Sequence, residues 1–148
     1  LMVIAAEDVG LAFPQIISIV NACVDMALKL GMPEARIPLG DAAVLMATSP
    51  KSNSGHVALD AALEDVRNRK IVTIPPHLQD AHYSGAEKLG HGLTYQYAHS
   101  YPDHYVKQQY LPDELVDTVF YHPGNLGYEK QMAERLDYLK NKDAEDKV

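Results

Sequence analysis

Residues 74 to 123, IPPHLQDAHYSGAEKLGHGLTYQYAHSYPDHYVKQQYLPDELVDTVFYHP, constrain the fold of this chain more than any other stretch. Six of the seven histidines and seven of the nine tyrosines fall there, interleaved with proline and glycine. Rigid amphipathic rings at that density exceed what a disordered segment carries, and the turn residues forbid a long helix. Tertiary contacts must therefore order the segment as an irregular insert, and the flanking sequence must supply the frame.

The frame is helical. From Pro14, favoured at the first helical position, to Leu30 before Gly31, the polar residues Ser18, Asn21, Asp25 and Lys29 leave one narrow wet stripe on an otherwise apolar cylinder. The expectation is a central, mostly buried helix with Cys23 as a small buried hydrophobe. Residues 39–48 are nearly all small and apolar and stop at Ser49-Pro50, because the residue before proline leaves the helical region. A third helix is expected from Asn53 or Ser54, either of which can cap it, to Lys70, with Val57, Ala61, Ala62, Leu63 and Val66 inward. Arg67, Arg69 and Lys70 at its end complement the helix dipole, while Asp60, Glu64 and Asp65 weaken any reading of them as a nucleic-acid patch. A last helix from Asn125 carries Tyr128, Met132, Leu136 and Leu139 on one face expected to dock, and residues 143–148 form a charged, frayed tail. The short pieces 71–74 and 116–121 are the strand candidates, so the class is all-α with an irregular insert. The expected division is a helical core over residues 1–70, an insert over 71–124, a helix over 125–142 and the tail.

Composition excludes several functions. The 148 residues make one domain's worth of chain, which buries about 68–70% of its unfolded surface. A net charge of -7 opposes autonomous binding to polyanions. One cysteine cannot form an internal disulfide, no run of eighteen apolar residues exists, and no signal peptide is evident, so the cytoplasm is the expected location. Residues 1–6 are apolar without a preceding cap, as if a helix began earlier, so the expectation is a fragment of a longer protein.

Chemical motifs fall short. Residues 85–92, GAEKLGHG, space two glycines as a phosphate-binding loop does, but His91 stands where the lysine belongs and Gly92 where the magnesium-holding hydroxyl belongs. His77 and His82, like His99 and His104, are five apart, whereas zinc motifs place ligands one helical turn apart or pair cysteines. No GxSxG elbow is present, and the adjacent acids Glu7 and Asp8 point in different directions on a helix. The tyrosines could stack single-stranded bases, yet acids outnumber cations around them, and an amphipathic protein interface is the other use of such rings.

Five strings in order, AAEDVGLA (5–12), GMPEARIPL (31–39), TSPKSN (48–53), HLQDAHYSGAEKLGHG (77–92) and YPDHYVKQQYLPDEL (101–115), resemble the C-terminal region of the replication-associated recombination protein A family. These are AAA+ ATPases of the MgsA or RarA type, related to the clamp loaders and to Werner helicase interacting protein. The resemblance covers essentially the whole chain. It implies a helical domain like the clamp-loader collar that follows the ATPase module, non-catalytic in itself, which assembles the parent as a homotetramer. ATP and magnesium are implied for the parent, at residues upstream of Leu1, with none held here. The implied setting is a DNA-dependent ATPase of replication, recombination and repair, at the fork or nucleoid, with DNA and replication proteins as partners. The alternative is that this domain is itself a DNA-contact or partner-docking surface. Lys51 and Asn53, with Asp80, His82, Tyr83, His91, Tyr105, Gln108, Gln109 and Tyr110 of the insert, are the candidate structural or interface residues. Phe13 departs from the pattern, which wants a small capping residue before the proline.

Overall fold

The computed structural model describes residues 1–69, 73–80, 82, 84, 87–89 and 92–145. The described residues form five α-helices: α1 (Met2–Ile4), α2 (Ile16–Leu30), α3 (Arg36–Thr48), α4 (Ser54–Asn68) and α5 (Gly127–Glu145). Among the described residues there is no strand, in keeping with an all-α class. The chain divides into two compact units, residues 1–62 with 120–140, and residues 63–119 with 141–148.

In the first unit α1 continues into a π-helical turn, Ala5–Val9, and a 3-10 turn, Gly10–Ala12. The core joins Ala5 and Val9 of this segment to Ile16 and Val20 of α2 and to Ala42 and Met46 of α3. Phe13, Cys23, Val24 and Leu45 pack against it. Phe13 thus contributes packing where a capping residue was expected, and Pro38 sits in the first turn of α3, where its missing N–H costs no helical bond.

The expected burial of α2 needs correction. Ile16, Val20 and Ala27 form one buried stripe, and the polar stripe lies opposite, as expected. At 100° per residue, Ile19, Met26 and Leu30 line one flank of the buried stripe and Ile17 and Leu28 the other. All five are exposed, Leu28 at 80%. The helices of this unit cover one side of α2 and leave both apolar flanks open. The inward set expected on α4 is corrected for a related reason: Val57, Leu63 and Val66 are exposed, and no residue of this helix is fully buried. The expected docking face of α5 is covered in part: Met132, Leu136 and Leu139 are half-buried, Tyr128 is exposed, and the four line a 440 Å³ groove with Gln131 and Arg135.

Between α4 and α5 the described residues of the second unit form five 3-10 turns, Pro76–Leu78, Glu87–Leu89, Ala98–Ser100, Pro102–His104 and Asp113–Leu115. Val106 and Leu115 are its buried apolar anchors. Side chains bonded to backbone do the ordering that a sheet would do elsewhere: the Gln108 amide accepts from the Gln96 N–H at 3.2 Å and donates to its carbonyl at 2.9 Å. His77 Nε2 bonds the Gln109 carbonyl at 2.7 Å. Of the strand candidates, residues 116–121 are irregular after the 3-10 turn, and residues 71 and 72 lie outside the described residues. α5 extends to Glu145, into the segment expected to fray, and Lys142 near its end donates to the Asp103 carboxylate. Arg69 pairs with Asp65 one turn earlier on α4 at 3.0 Å, which gives that cation a local structural partner.

Candidate functional site

The most constrained constellation in the first unit is built on a carboxylate that the sequence patterns passed over. Glu129, third residue of α5, is 0% exposed. Ser54, the first residue of α4, and Tyr121 both donate hydroxyl hydrogen bonds to its Oε1, Tyr121 at 2.8 Å. Two helix N-termini thus converge on one negative charge, where their dipoles favour it. Oε2 is sealed from solvent with no hydrogen bond of normal geometry. Its polar neighbours are the Ser52 hydroxyl and the Gly124 N–H.

Burial by itself would raise the Glu129 pKa, but the hydroxyls of Ser52, Ser54 and Tyr121 and the Gly124 N–H outweigh it and hold the carboxyl below its ordinary value. Tyr121 shifts the opposite way, to about 12, through desolvation and then the hydrogen bond and charge of Glu129. The pair is therefore fixed as carboxylate and neutral phenol across the physiological range. A neutral donor and an ionised, fully buried acceptor are held together here, and the carboxylate ties the N-terminus of α4 to that of α5.

The chain approaches itself closely around this carboxylate. Ser52 donates its N–H to the Asp8 carbonyl at 2.8 Å, and Gly10 lies against the Ser52 carbonyl. Gly127 lies against the Ala12 carbonyl and Pro50. The strings at 5–12 and 48–53 are thus in direct contact. Ser52, not the expected Asn53 or Ser54, receives the first N–H of α4, from Ser54 at 3.4 Å.

The candidates from sequence separate into two sets. Lys51 belongs to the first unit, where its ammonium donates to the carbonyls of Met46 at 2.7 Å and Ser49 at 2.6 Å, closing the C-terminus of α3. Lys51→Met is expected to cost about 1 kcal/mol, because it removes a cation and its hydrogen bonds from the negative end of a helix; thermal unfolding against wild type measures it. Asn53 is exposed and offers its carbonyl to the Val57 N–H at 3.0 Å. In the second unit Asp80 and His82 close on each other: Oδ1 accepts from the His82 N–H at 3.0 Å and meets Nδ1 at 2.7 Å. The His82 N–H first, then its ring, hold the Asp80 carboxyl below its usual value. Gln108 also reaches the Tyr110 hydroxyl at 3.1 Å, and Gln109 reaches Asp113 at 2.7 Å. Tyr105 is half-buried, and Tyr83 and His91 lie outside the described residues. Asp80, His82 and Tyr110 line a common 440 Å³ groove.

Among the described residues no group of three or more His, Cys, Asp or Glu is disposed to hold a metal ion, and no helix is long and apolar enough to cross a membrane. The phosphate-loop near miss falls partly outside the described residues, and its His91 and Gly92 lack the charge and hydroxyl that ATP and magnesium require.

The model of the family described as MgsA AAA+ ATPase C terminal matches residues 1–140. The chain belongs to that family. It is similar to Replication-associated recombination protein A of Bacillus subtilis, 47% identical over 140 residues, which cover 94% of this chain and 33% of that protein. An uncharacterized AAA domain-containing protein of Mycobacterium tuberculosis is 45% identical over 140 residues, 95% of this chain and 31% of its own length. Replication-associated recombination protein A of Escherichia coli is 35% identical over 143 residues, 96% and 32%. The chain thus spans about a third of these relatives. Within the matched region the strings at 5–12 and 48–53 meet through the Ser52 N–H and the Asp8 carbonyl. In the sequence Glu129 is an ordinary first-turn glutamate that complements a helix dipole, and only the fold brings Ser54 and Tyr121 onto it.

Proposed function

We propose that this chain is the assembly module of its parent AAA+ ATPase, joining copies into a homo-oligomer, a tetramer, and leaving catalysis to residues outside it. The supporting observation is the pair of uncovered apolar flanks on α2. A helix apolar on most sides belongs in an interior, and here Ile17, Ile19, Met26, Leu28 and Leu30 face outward. Asp25 and Lys29, its only charges, pair with each other at 2.6 Å, so little charge opposes a second apolar surface. Exposed Ile37 and Val44 on α3 extend this surface character.

In this reading the parent is a DNA-dependent ATPase of replication-fork maintenance, recombination and repair, in the cytoplasm at the nucleoid, with ATP and magnesium bound outside this chain. The expected result from light scattering coupled to size exclusion, over a concentration series, is a mass about four times the 16.3 kDa of one chain. Ile19→Glu combined with Met26→Glu should lower that mass with helicity by circular dichroism unchanged, since burying a charge opposes association. A monomer at every concentration would remove the assembly role from this segment and favour a DNA or partner surface.

A further inference from the structure

The turn Pro102–His104 has a backbone that its residues do not favour. Asp103 (φ 57°, ψ 12°) and His104 (φ 52°) lie in succession in the left-handed region, between extended backbone at Tyr101 (φ -115°, ψ 156°) and Tyr105 (φ -129°, ψ 138°). Among the described residues they are the only non-glycine residues with positive φ. The Cβ of an L-residue crowds the following carbonyl there, which disfavours the conformation on the order of tenfold in population per residue. Asp and His tolerate it as single residues, and two in a row compound the cost. Such backbone persists only where surrounding contacts hold it.

Side chains supply those contacts. Lys142, in the last turn of α5, donates to the Asp103 carboxylate. The two side chains are 28% and 32% exposed, so water screens this pair less than it screens a fully exposed one. The His104 ring meets that of His99 at 4.9 Å between centroids, and His99 meets Tyr97 at 5.1 Å. Two main-chain hydrogen bonds close the turn, from the His104 N–H to the Tyr101 carbonyl at 3.1 Å and from the Tyr105 N–H to the Pro102 carbonyl at 3.3 Å. Half-buried Tyr105 and the buried anchor Val106 follow directly. Residues 141–148 and the insert belong to the same compact unit, so the latching contact lies within it.

We propose that residues 102–104 form a strained latch that Lys142 holds shut. While its ammonium holds Asp103, the left-handed pair is kept and Tyr105 stays in place. When Lys142 is withdrawn or neutralised, Asp103 and His104 return to the backbone they favour, the two closing hydrogen bonds break, and Tyr105 is uncovered. The charge at the end of α5 thereby sets whether this ring of the insert is presented. The latch is independent of the assembly reading, since it uses none of the α2 flanks.

The test is amide hydrogen exchange of the full 148-residue chain, read by NMR at His104 and Tyr105. Lys142→Met and Asp103→Ala both remove the ion pair and keep the strain. Each should speed exchange of these two amides about tenfold, the loss expected for a hydrogen bond between charged groups. Asp103→Gly also removes the pair but places at 103 a residue at ease with positive φ, and should stay within about twofold of wild type. The amides of α2 report global opening and should exchange as in wild type. The latch is overturned if Lys142→Met leaves the two amides at the wild-type rate, if Asp103→Gly exchanges as fast as Asp103→Ala, or if the α2 amides accelerate alongside them.

Discussion

Glu129→Ala is expected to destabilise the chain by about 3–4 kcal/mol, roughly 6–16 °C in melting temperature at the 2–4 °C per kcal/mol typical of this size. The loss has three sources. The side chain is fully buried, so its removal leaves a cavity. The hydroxyls of Ser54 and Tyr121 lose their acceptor, and a buried unsatisfied donor costs about 1–3 kcal/mol. The α4 and α5 N-termini lose the anion that their dipoles favour. Glu129→Gln keeps the shape and one acceptor, and should cost less than the alanine variant at neutral pH. Its difference from wild type is also pH-dependent. The carboxyl has an ordinary value of 4.5 and is held lower in the fold, so its contribution is complete above 4.5 and is lost as pH falls through the lower folded value. Melting curves at pH 7 and at steps below 4.5 should therefore show the gap between wild type and Glu129→Gln narrowing with acid. A gap independent of pH would mean that Glu129 acts by packing and not as a carboxylate. At the alkaline end Tyr121, raised from 10.0 to about 12, gives stability that is complete below 10 and is lost as pH rises through 12.

Gly127→Ala comes next, with an expected loss of about 3 kcal/mol or more. Gly127 has φ +57°, which an L side chain adopts only with strain. Its new Cβ would also overlap the Ala12 carbonyl oxygen, with the carbonyl carbon 2.9 Å away and Pro50 Cγ at 3.0 Å. Backbone cannot rotate aside as a flexible side chain can, so relief requires α5 to lift from the residue 10–12 turn. Gly10→Ala should behave alike: φ 48°, ψ -131° is a glycine conformation, and the Cβ would strike the Ser52 carbonyl. Gly40→Ala is the informative contrast. It lies inside α3 with nothing within 4 Å of a new Cβ, and should stabilise by about 0.5–1 kcal/mol. Chemical denaturation of the three variants would separate conformational and steric cost from simple helix propensity; equal effects at Gly127 and Gly40 would refute the close approach.

Much of the frame was legible because helix periodicity and its breakers are local. Gly31 ends α2 with φ +71°, Pro50 follows the end of α3, and the polar stripe of α2 lies opposite its buried stripe. Lys51 was picked out by its place in the SPKSN turn, and that turn is where it closes α3. Burial was less legible. The inward set of α4 and the docking face of α5 were inferred from apolar spacing, but spacing says which face prefers cover, not whether a neighbour arrives. The insert shows the same limit: its rings announced an ordered segment, whereas the partners of Gln108 and His77, distant in sequence, follow from no local pattern.

The amino-acid order alone determined the all-helical class, the C-terminal ends of α2 and α3 and the resemblance to a family, since each rests on residues near one another in the chain, whereas α3 begins at Arg36, inside the stretch 32–38 expected to be a turn. The tertiary structure decided that Glu129 is the buried hub, that Gly10 and Gly127 admit no side chain, and that the flanks of α2 stay uncovered. Those properties arise where segments distant in the chain meet, as Gly10 does with Ser52, Ala12 with Gly127 and Ser54 with Glu129, and the energy of such a meeting belongs to neither segment by itself.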